Sequence, residues 1–137
     1  MQIKPEYTNI SIKKNNLIYP ELSYKIIGSA FKIYNKLGWG HKESIYQKSL
    51  ALELNNLGLK FEKEKFVQTK YDGQEVGREF LDFIVENKII LELKVMPKLG
   101  YIHINQVVSY LKSTDLQLAI LIYFLKDGVR YRRIINN

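Results

Sequence analysis

The chain has 137 residues, a length typical of one domain with a sizeable core, and it is 46% hydrophobic and 26% charged. It has no cysteine, which excludes disulfides, thiolate metal sites and cysteine nucleophiles. Its formal charge of +7 favours a polyanionic partner, commonly nucleic acid, although a solvated basic surface is the alternative. No apolar run approaches the roughly 18 residues of a membrane span. The first residues lack a signal-peptide core, so we expect a cytoplasmic protein without a membrane partner.

Helical periodicity dominates the first part of the chain. Residues 1–18 are polar and irregular and are predicted to form an N-terminal arm, which leaves residues 19–137 as one domain. Pro20 suits the first turn of a helix, and Gly38 suits its end. A second helix is predicted over about residues 41–57. Its expected buried face carries Tyr46, Leu50, Leu54 and Leu57.

Strand signals follow, separated by one more helix. The hairpin signal Asp72-Gly73 joins two extended segments, and a turn near Glu86 leads into a third. The predicted strands are 60–71, 76–85, 89–95, 116–125 and 129–135, and the third helix spans about 101–112. The order α-α-β-β-β-α-β-β predicts an α/β fold with a central mixed sheet flanked by helices, because its apolar strands need cover on both faces.

Three charged residues interrupt these apolar strands. In the segment IILELKV, Glu92 and Lys94 share one strand face. Asp82 lies in the preceding segment FLDFIV, and the intervening turn should place it a few residues from Glu92 across the ladder. A buried carboxylate must be paired or hold a cation, so a structural ion pair with Lys94 is one reading. The two carboxylates outnumber the one lysine, and this excess of negative charge favours a second reading, in which the carboxylates bind a magnesium or manganese ion.

At these residues the chain resembles the PD-(D/E)xK nuclease superfamily, which has a restriction-endonuclease-like core. The pattern D-x(9)-E-x-K is formed by Asp82, Glu92 and Lys94, with Leu81 where the family's name has Pro. Residues 40–46, GHKESIY, resemble the GxxExxY family of short stand-alone members. Gln106 and Tyr110 form Q-x-x-x-Y, as in the exonuclease-type branch that includes lambda exonuclease. The resemblance extends over nearly the whole chain.

The resemblance implies a metal-dependent nuclease that acts on nucleic acid, DNA more than RNA. Asp82 and Glu92 would bind Mg²⁺ or Mn²⁺ together with the carbonyl of Leu93. Glu43 would reach the metal directly or through water, although an acidic residue there also suits a helix N-terminus. The ion would act as a Lewis acid and activate the attacking water.

The remaining roles concern the water and the nucleic acid. Lys94 would position or help deprotonate the attacking water. Gln106 and Tyr110 would orient the site or the phosphate backbone, with a capping role for Gln106 as the alternative. Tyr46 lies on the apolar face and is expected in the core, and the two histidines, His41 and His103, are expected at the surface. The candidates for phosphate contact are Lys98, Arg130, Arg132 and Arg133, for each of which ordinary solvated charge is the alternative.

Two other functions compete with a nuclease. One is a nucleic-acid-binding module that keeps the fold without cleaving. The other is an interaction subunit whose catalysis needs a protein partner, and a homodimer is also open. The complete set of expected site residues favours the nuclease.

Overall fold

The structure, a computed structural model, describes residues 18–100 and 103–136. Five strands form one sheet in the order β1-β2-β3-β4-β5. The elements in chain order are α1 (Pro20–Leu37), α2 (Glu43–Asn56), β1 (Phe61–Tyr71), β2 (Gln74–Val85), β3 (Ile89–Val95), α3 (Ile104–Thr114), β4 (Leu118–Leu125) and β5 (Gly128–Ile135). This order confirms the prediction. The predicted arm lies outside the described residues except for its last residue, and so do residues 101 and 102.

The sheet is mixed because α3 connects two parallel strands. β3 runs parallel to β4, whereas β1 with β2, β2 with β3, and β4 with β5 are antiparallel pairs. The antiparallel neighbours are joined by short turns, as such pairs allow. Two of the three hairpin turns have two successive left-handed residues, Asp72-Gly73 and Glu86-Asn87, which suits the right-handed twist of the strands. β3 therefore lies in the interior of the sheet, as its apolar sequence predicted.

Two apolar clusters cover the two faces of the sheet. One joins the sheet to α1 and α2 and contains Leu91 and Leu93 of β3. The other joins it to α3 and contains Ile90. The predicted buried face of α2 is confirmed for Tyr46, Leu50 and Leu54, which are fully buried. It is wrong for Leu57, which is 43% exposed because the helix ends at Asn56 and Leu57 forms its C-cap.

β2 departs from regular geometry near its end. Its ladder with β3 extends only from Val85 to Phe83, which pairs with Leu91. On the side of β2 that faces β1, the ladder skips one pair of residues, Glu64 and Asp82. Glu64 has a left-handed φ of 53° at this point. Leu81 packs on the α3 side and Phe83 on the side of α1 and α2, although alternate strand residues normally share a face. The backbone thus rotates about Asp82, and a gap opens between β2 and β3.

The length and apolar character of a helix decide whether it can cross a membrane. Among residues 18–100 and 103–136, no helix combines the length and apolar character that crossing a membrane would require.

Candidate active site

The gap between β2 and β3 is bridged by side chains instead of the backbone ladder. The Asp82 amide donates to Glu92 Oε2 over 2.9 Å, and the Leu93 amide donates to Asp82 Oδ2 over 2.8 Å. Each carboxylate therefore binds the backbone of the opposite strand. The structure brings Asp82 and Glu92 together across the two strands, as the turn between them suggested.

Burial controls the protonation of these two carboxyl groups. Glu92 is only 3% exposed, and burial followed by the charge of Asp82 raises its pKa to about 8. Burial also raises the pKa of Asp82, against the opposing effects of the Leu93 amide and of Lys94. The site therefore holds negative charge only at a high free-energy cost, which a bound cation would offset.

Lys94 lies near the carboxylates without forming an ion pair. Its charge lowers the pKa of both Asp82 and Glu92, yet neither carboxylate has an oxygen within 4.0 Å of its ammonium group among the described ion pairs. The structural ion pair that the sequence left open is therefore not formed in this structure. Lys94 is half-buried, and its charge acts on both carboxylates at the gap.

Helix α2 contributes a third carboxylate and an amide that the sequence did not single out. Gln47 Nε2 donates to Glu43 Oε2 over 3.3 Å and to Asp82 Oδ1 over 3.1 Å. Burial, followed by the charge of Asp82, raises the pKa of Glu43. Gln47 lies one helical turn after Glu43, and this (i, i+4) spacing was the only signal that could have predicted its place.

The remainder of the G-x-x-E-x-x-Y pattern has a structural basis. Gly40 has a φ of 108°, a conformation that favours glycine, in the turn that leads into α2. Tyr46 is fully buried, its hydroxyl donates to the Gly38 carbonyl, and its ring stacks on Phe124 at 4.4 Å. Tyr46 lies in the core, as predicted, and anchors the turn that carries Glu43.

Helix α3 brings Tyr110 toward the carboxylates from the other face of the sheet. Tyr110 is 2% exposed, and Glu79 of β2 lies close enough for its charge to act on the phenol. Burial, followed by the charges of Glu92, Glu79 and Asp82, raises the pKa of this phenol. Gln106 lies one turn earlier on α3, and its half-buried side chain makes no hydrogen bond among residues 18–100 and 103–136. The sequence did not single out Glu79, because a charged residue in a predicted strand is usually an ordinary solvent-exposed one.

The predicted phosphate contacts do not all lie on one surface, although Lys98 and Arg130 line the same cleft. Lys98 is exposed in the loop after β3, and Arg130 contacts Asp127 at 3.7 Å in the turn before β5. Arg132 is exposed on β5. Arg133 points to the opposite face, where its guanidinium donates to the carbonyl of Ile18. Arg133 therefore holds the start of α1 against the sheet instead of facing solvent.

The two histidines are less exposed than predicted. His41 is half-buried, its Nε2 lies 2.9 Å from the Leu37 carbonyl, and its ring meets the edge of Tyr46. His103 is half-buried at the start of α3, and burial, followed by the charge of Lys94, lowers its pKa. Both were expected at the surface because the sequence shows no partner for them.

The donors around the gap fit a hard divalent cation. Carboxylate and carbonyl oxygens are the ligands that magnesium and manganese prefer. The Leu93 amide faces the gap, and the carbonyl of a strand residue lies on the same edge as its amide, so that carbonyl faces the gap too. Both oxygens of Asp82 and one of Glu92 accept hydrogen bonds. Within residues 18–100 and 103–136 no three acidic or histidine side chains are yet gathered as ligands, so binding would replace some of these bonds.

The mixed sheet with helices on both faces is a restriction-endonuclease-like α/β fold. A sequence profile described as the PD-(D/E)XK nuclease superfamily matches residues 20–134, and the chain belongs to this superfamily. A crystal structure of SSO0001 is similar at a TM-score of 0.55 and 20% identity, over 96% of this chain and 58% of that one. The chain thus spans little more than half of that protein, and the similarity concerns the fold. No curated protein matches the chain.

Proposed function

We propose that this protein is a divalent-metal-dependent nuclease that hydrolyses phosphodiester bonds, in DNA more than in RNA. The observation that carries the proposal is the buried Glu92 beside Asp82, in a gap where no cationic side chain of the described residues pairs with either. Membership of the superfamily supports nuclease chemistry. We further propose that the chain belongs to the GxxExxY branch, because Gly40, Glu43 and Tyr46 together shape the turn and helix at the gap.

The proposed ligands of Mg²⁺ or Mn²⁺ are the carboxylates of Asp82 and Glu92 and the carbonyl of Leu93, with Glu43 within reach directly or through water. The bound ion would supply Lewis acidity and a more acidic water. Because Gln47 donates to both Glu43 and Asp82, it holds the two carboxylates side by side before any ion binds. These side chains thus begin close to where a shared ion needs them.

Lys94 has the clearest role among the chain's own groups. It follows Glu92 on the same face of β3, and it forms no ion pair with either carboxylate among the described residues. Its ammonium is therefore available to orient the attacking water and to stabilise the charge that develops on the phosphoryl oxygens. We assign Tyr110 a positioning role, because its buried phenol lies close enough to Glu92 and Asp82 for their charges to raise its pKa. Gln106 is proposed to contact the phosphate backbone from the preceding turn.

Nucleic acid is the proposed partner, and Lys98, Arg130 and Arg132 stay candidates for contact with its phosphates. The charge of +7 supports this partner. The absence of cysteine is in keeping with a proposed cytoplasmic location. A homodimer and a protein partner are compatible with this function, since either could complete the binding surface.

The test is cleavage of single-stranded and double-stranded DNA and RNA with Mg²⁺, Mn²⁺ or a chelator. We expect metal-dependent cleavage by the native chain and none by Glu92→Gln or Asp82→Asn. Glu62→Gln is the matched control, because Glu62 is an exposed carboxylate on β1 whose ion pair among the described residues is with Lys65. Binding of nucleic acid without cleavage of any substrate would favour the non-catalytic module, and cleavage that survives Glu92→Gln would refute the proposed site.

A further inference from the structure

A two-stranded arm extends from the sheet beside the gap. The part of β2 before Phe83 pairs with β1 and not with β3. Residues 65–81 therefore form a hairpin in which the sheet is only two strands wide. One face of this arm packs toward α3 through Val67 and Leu81. The opposite face carries large apolar side chains that are exposed, Phe66 at 41% and Phe80 at 60%.

The uncovered face of the arm holds an ordered aromatic cluster. Phe66 and Phe80 meet edge to face at 6.2 Å between ring centroids, and the Arg78 guanidinium lies 4.4 Å from the Phe66 centroid. Glu75 fixes Arg78 through two hydrogen bonds of 3.0 and 3.2 Å. Arg78 thus covers Phe66, whereas Phe80 is 60% exposed. Phe80 is therefore a fixed ring with an open surface.

Phe80 lies close to the carboxylates along the same strand. It precedes Asp82 by two residues, which corresponds to about 6.6 Å of extended chain. Leu81 points toward α3, so Phe80 points to the face of α1 and α2. Asp82 reaches that same side, where its Oδ1 accepts a hydrogen bond from Gln47 of α2. The ring of Phe80 and the Asp82 carboxylate therefore lie on the same side of β2, two residues apart.

We infer that Phe80 stacks against an unpaired nucleobase next to the phosphodiester held at Asp82 and Glu92, so that the substrate is nucleic acid that is single-stranded at the point of cleavage. This inference rests on the proposed function. Every nucleobase has a flat face that can stack on an aromatic ring. Inside a duplex, neighbouring pairs about 3.4 Å away cover both faces of each base, so only an unpaired or terminal base can reach Phe80.

Binding can be measured separately from cleavage in the full-length Asp82→Asn protein with a chelator present. The probe is a DNA oligonucleotide that carries the fluorescent base 2-aminopurine, used as a single strand and within a blunt duplex. We expect stacking to quench the single-stranded probe. Phe80→Leu should abolish this quenching and weaken single-strand affinity about 5- to 150-fold, the range for one lost base–aromatic stack. Phe80→Trp should restore both, and duplex affinity should change little.

Tyr71→Leu is the matched control, because Tyr71 is an aromatic residue that is 70% exposed at the tip of the same hairpin. The inference is overturned if Phe80→Leu binds the single strand as tightly as its parent, or if Tyr71→Leu or duplex binding suffers an equal loss. It is also overturned if sedimentation shows a dimer that Phe80→Leu dissociates without changing oligonucleotide affinity. Failure of the parent to bind any oligonucleotide at low salt would instead reject the proposed function as a whole.

Discussion

Raising the pH of the metal-free protein should destabilise it, and Glu92 should account for most of the loss. The pKa of Glu92 is about 8 in the folded chain, against a model-compound value of 4.5. A raised carboxyl pKa stabilises the folded state fully below pH 4.5, and this stabilisation is lost as the pH rises through 8. Since each pH unit is worth about 1.4 kcal/mol while the folded state alone keeps the proton, the loss between pH 5 and pH 8 is about 3 kcal/mol.

Thermal or urea unfolding in a chelator at several pH values measures this loss. Glu92→Gln is the matched variant, because glutamine keeps the shape of the side chain and cannot ionise, so its stability should fall much less over the same range. Asp82 and Glu43 also have raised pKa values and should leave a smaller slope of the same sign. The lowered pKa of His103 acts in the opposite direction and is common to both proteins.

The same unfolding measurements with magnesium in place of the chelator test the metal site. A cation that binds the ionised form of Glu92 should restore stability at pH 8 and have little effect at pH 5, because protons and metal compete for the same oxygens. Equal pH slopes in the native chain and in Glu92→Gln would refute the reasoning. So would a native chain that becomes more stable between pH 5 and pH 8.

Three further predictions concern single interactions. Lys94→Met should abolish cleavage. It should change the free energy of unfolding by less than about 1 kcal/mol, because no buried ion pair is broken. A loss of about 3–5 kcal/mol in urea unfolding would instead indicate such a pair. Gln47→Leu should destabilise the metal-free protein by about 1–3 kcal/mol, since two carboxylates lose their donor; thermal melts should show a smaller deficit with magnesium, and an unchanged deficit would contradict this role. Affinity for DNA should fall linearly on a log–log plot against salt, because binding releases counterions; a flat titration would argue against phosphate contacts.

Much of the fold and part of the site could be predicted from the sequence, because local signals carry that information. Helical spacing of apolar residues, left-handed turn residues and a nearly all-apolar strand predicted the eight elements in their order. The charged residues in apolar strands also stood out, since burying them is costly without a partner. Asp82, Glu92 and Lys94 were therefore identifiable before their geometry was known.

The partners of these residues depend on long-range packing, which sequence spacing does not encode. Gln47 reaches Asp82 only because α2 packs on the sheet at β3, and Glu79 comes near Tyr110 only because the hairpin of β1 and β2 packs on α3. Arg133 resembles its basic neighbours in the sequence, yet its position on the alternate face of β5 directs it to the start of α1.

The gap between β2 and β3 shows most clearly which features the sequence determines and which depend on the tertiary structure. The sequence by itself determined that two strands would carry the carboxylates, because a turn between apolar segments makes neighbours of them. Only the tertiary structure decided that β2 and β3 pair no further than Phe83, since β3 stays with β4 while the part of β2 before Phe83 pairs with β1 alone. That separation leaves the Leu93 amide without a strand partner and directs it to Asp82. Regular pairing would have satisfied the same backbone groups and left no space for a site.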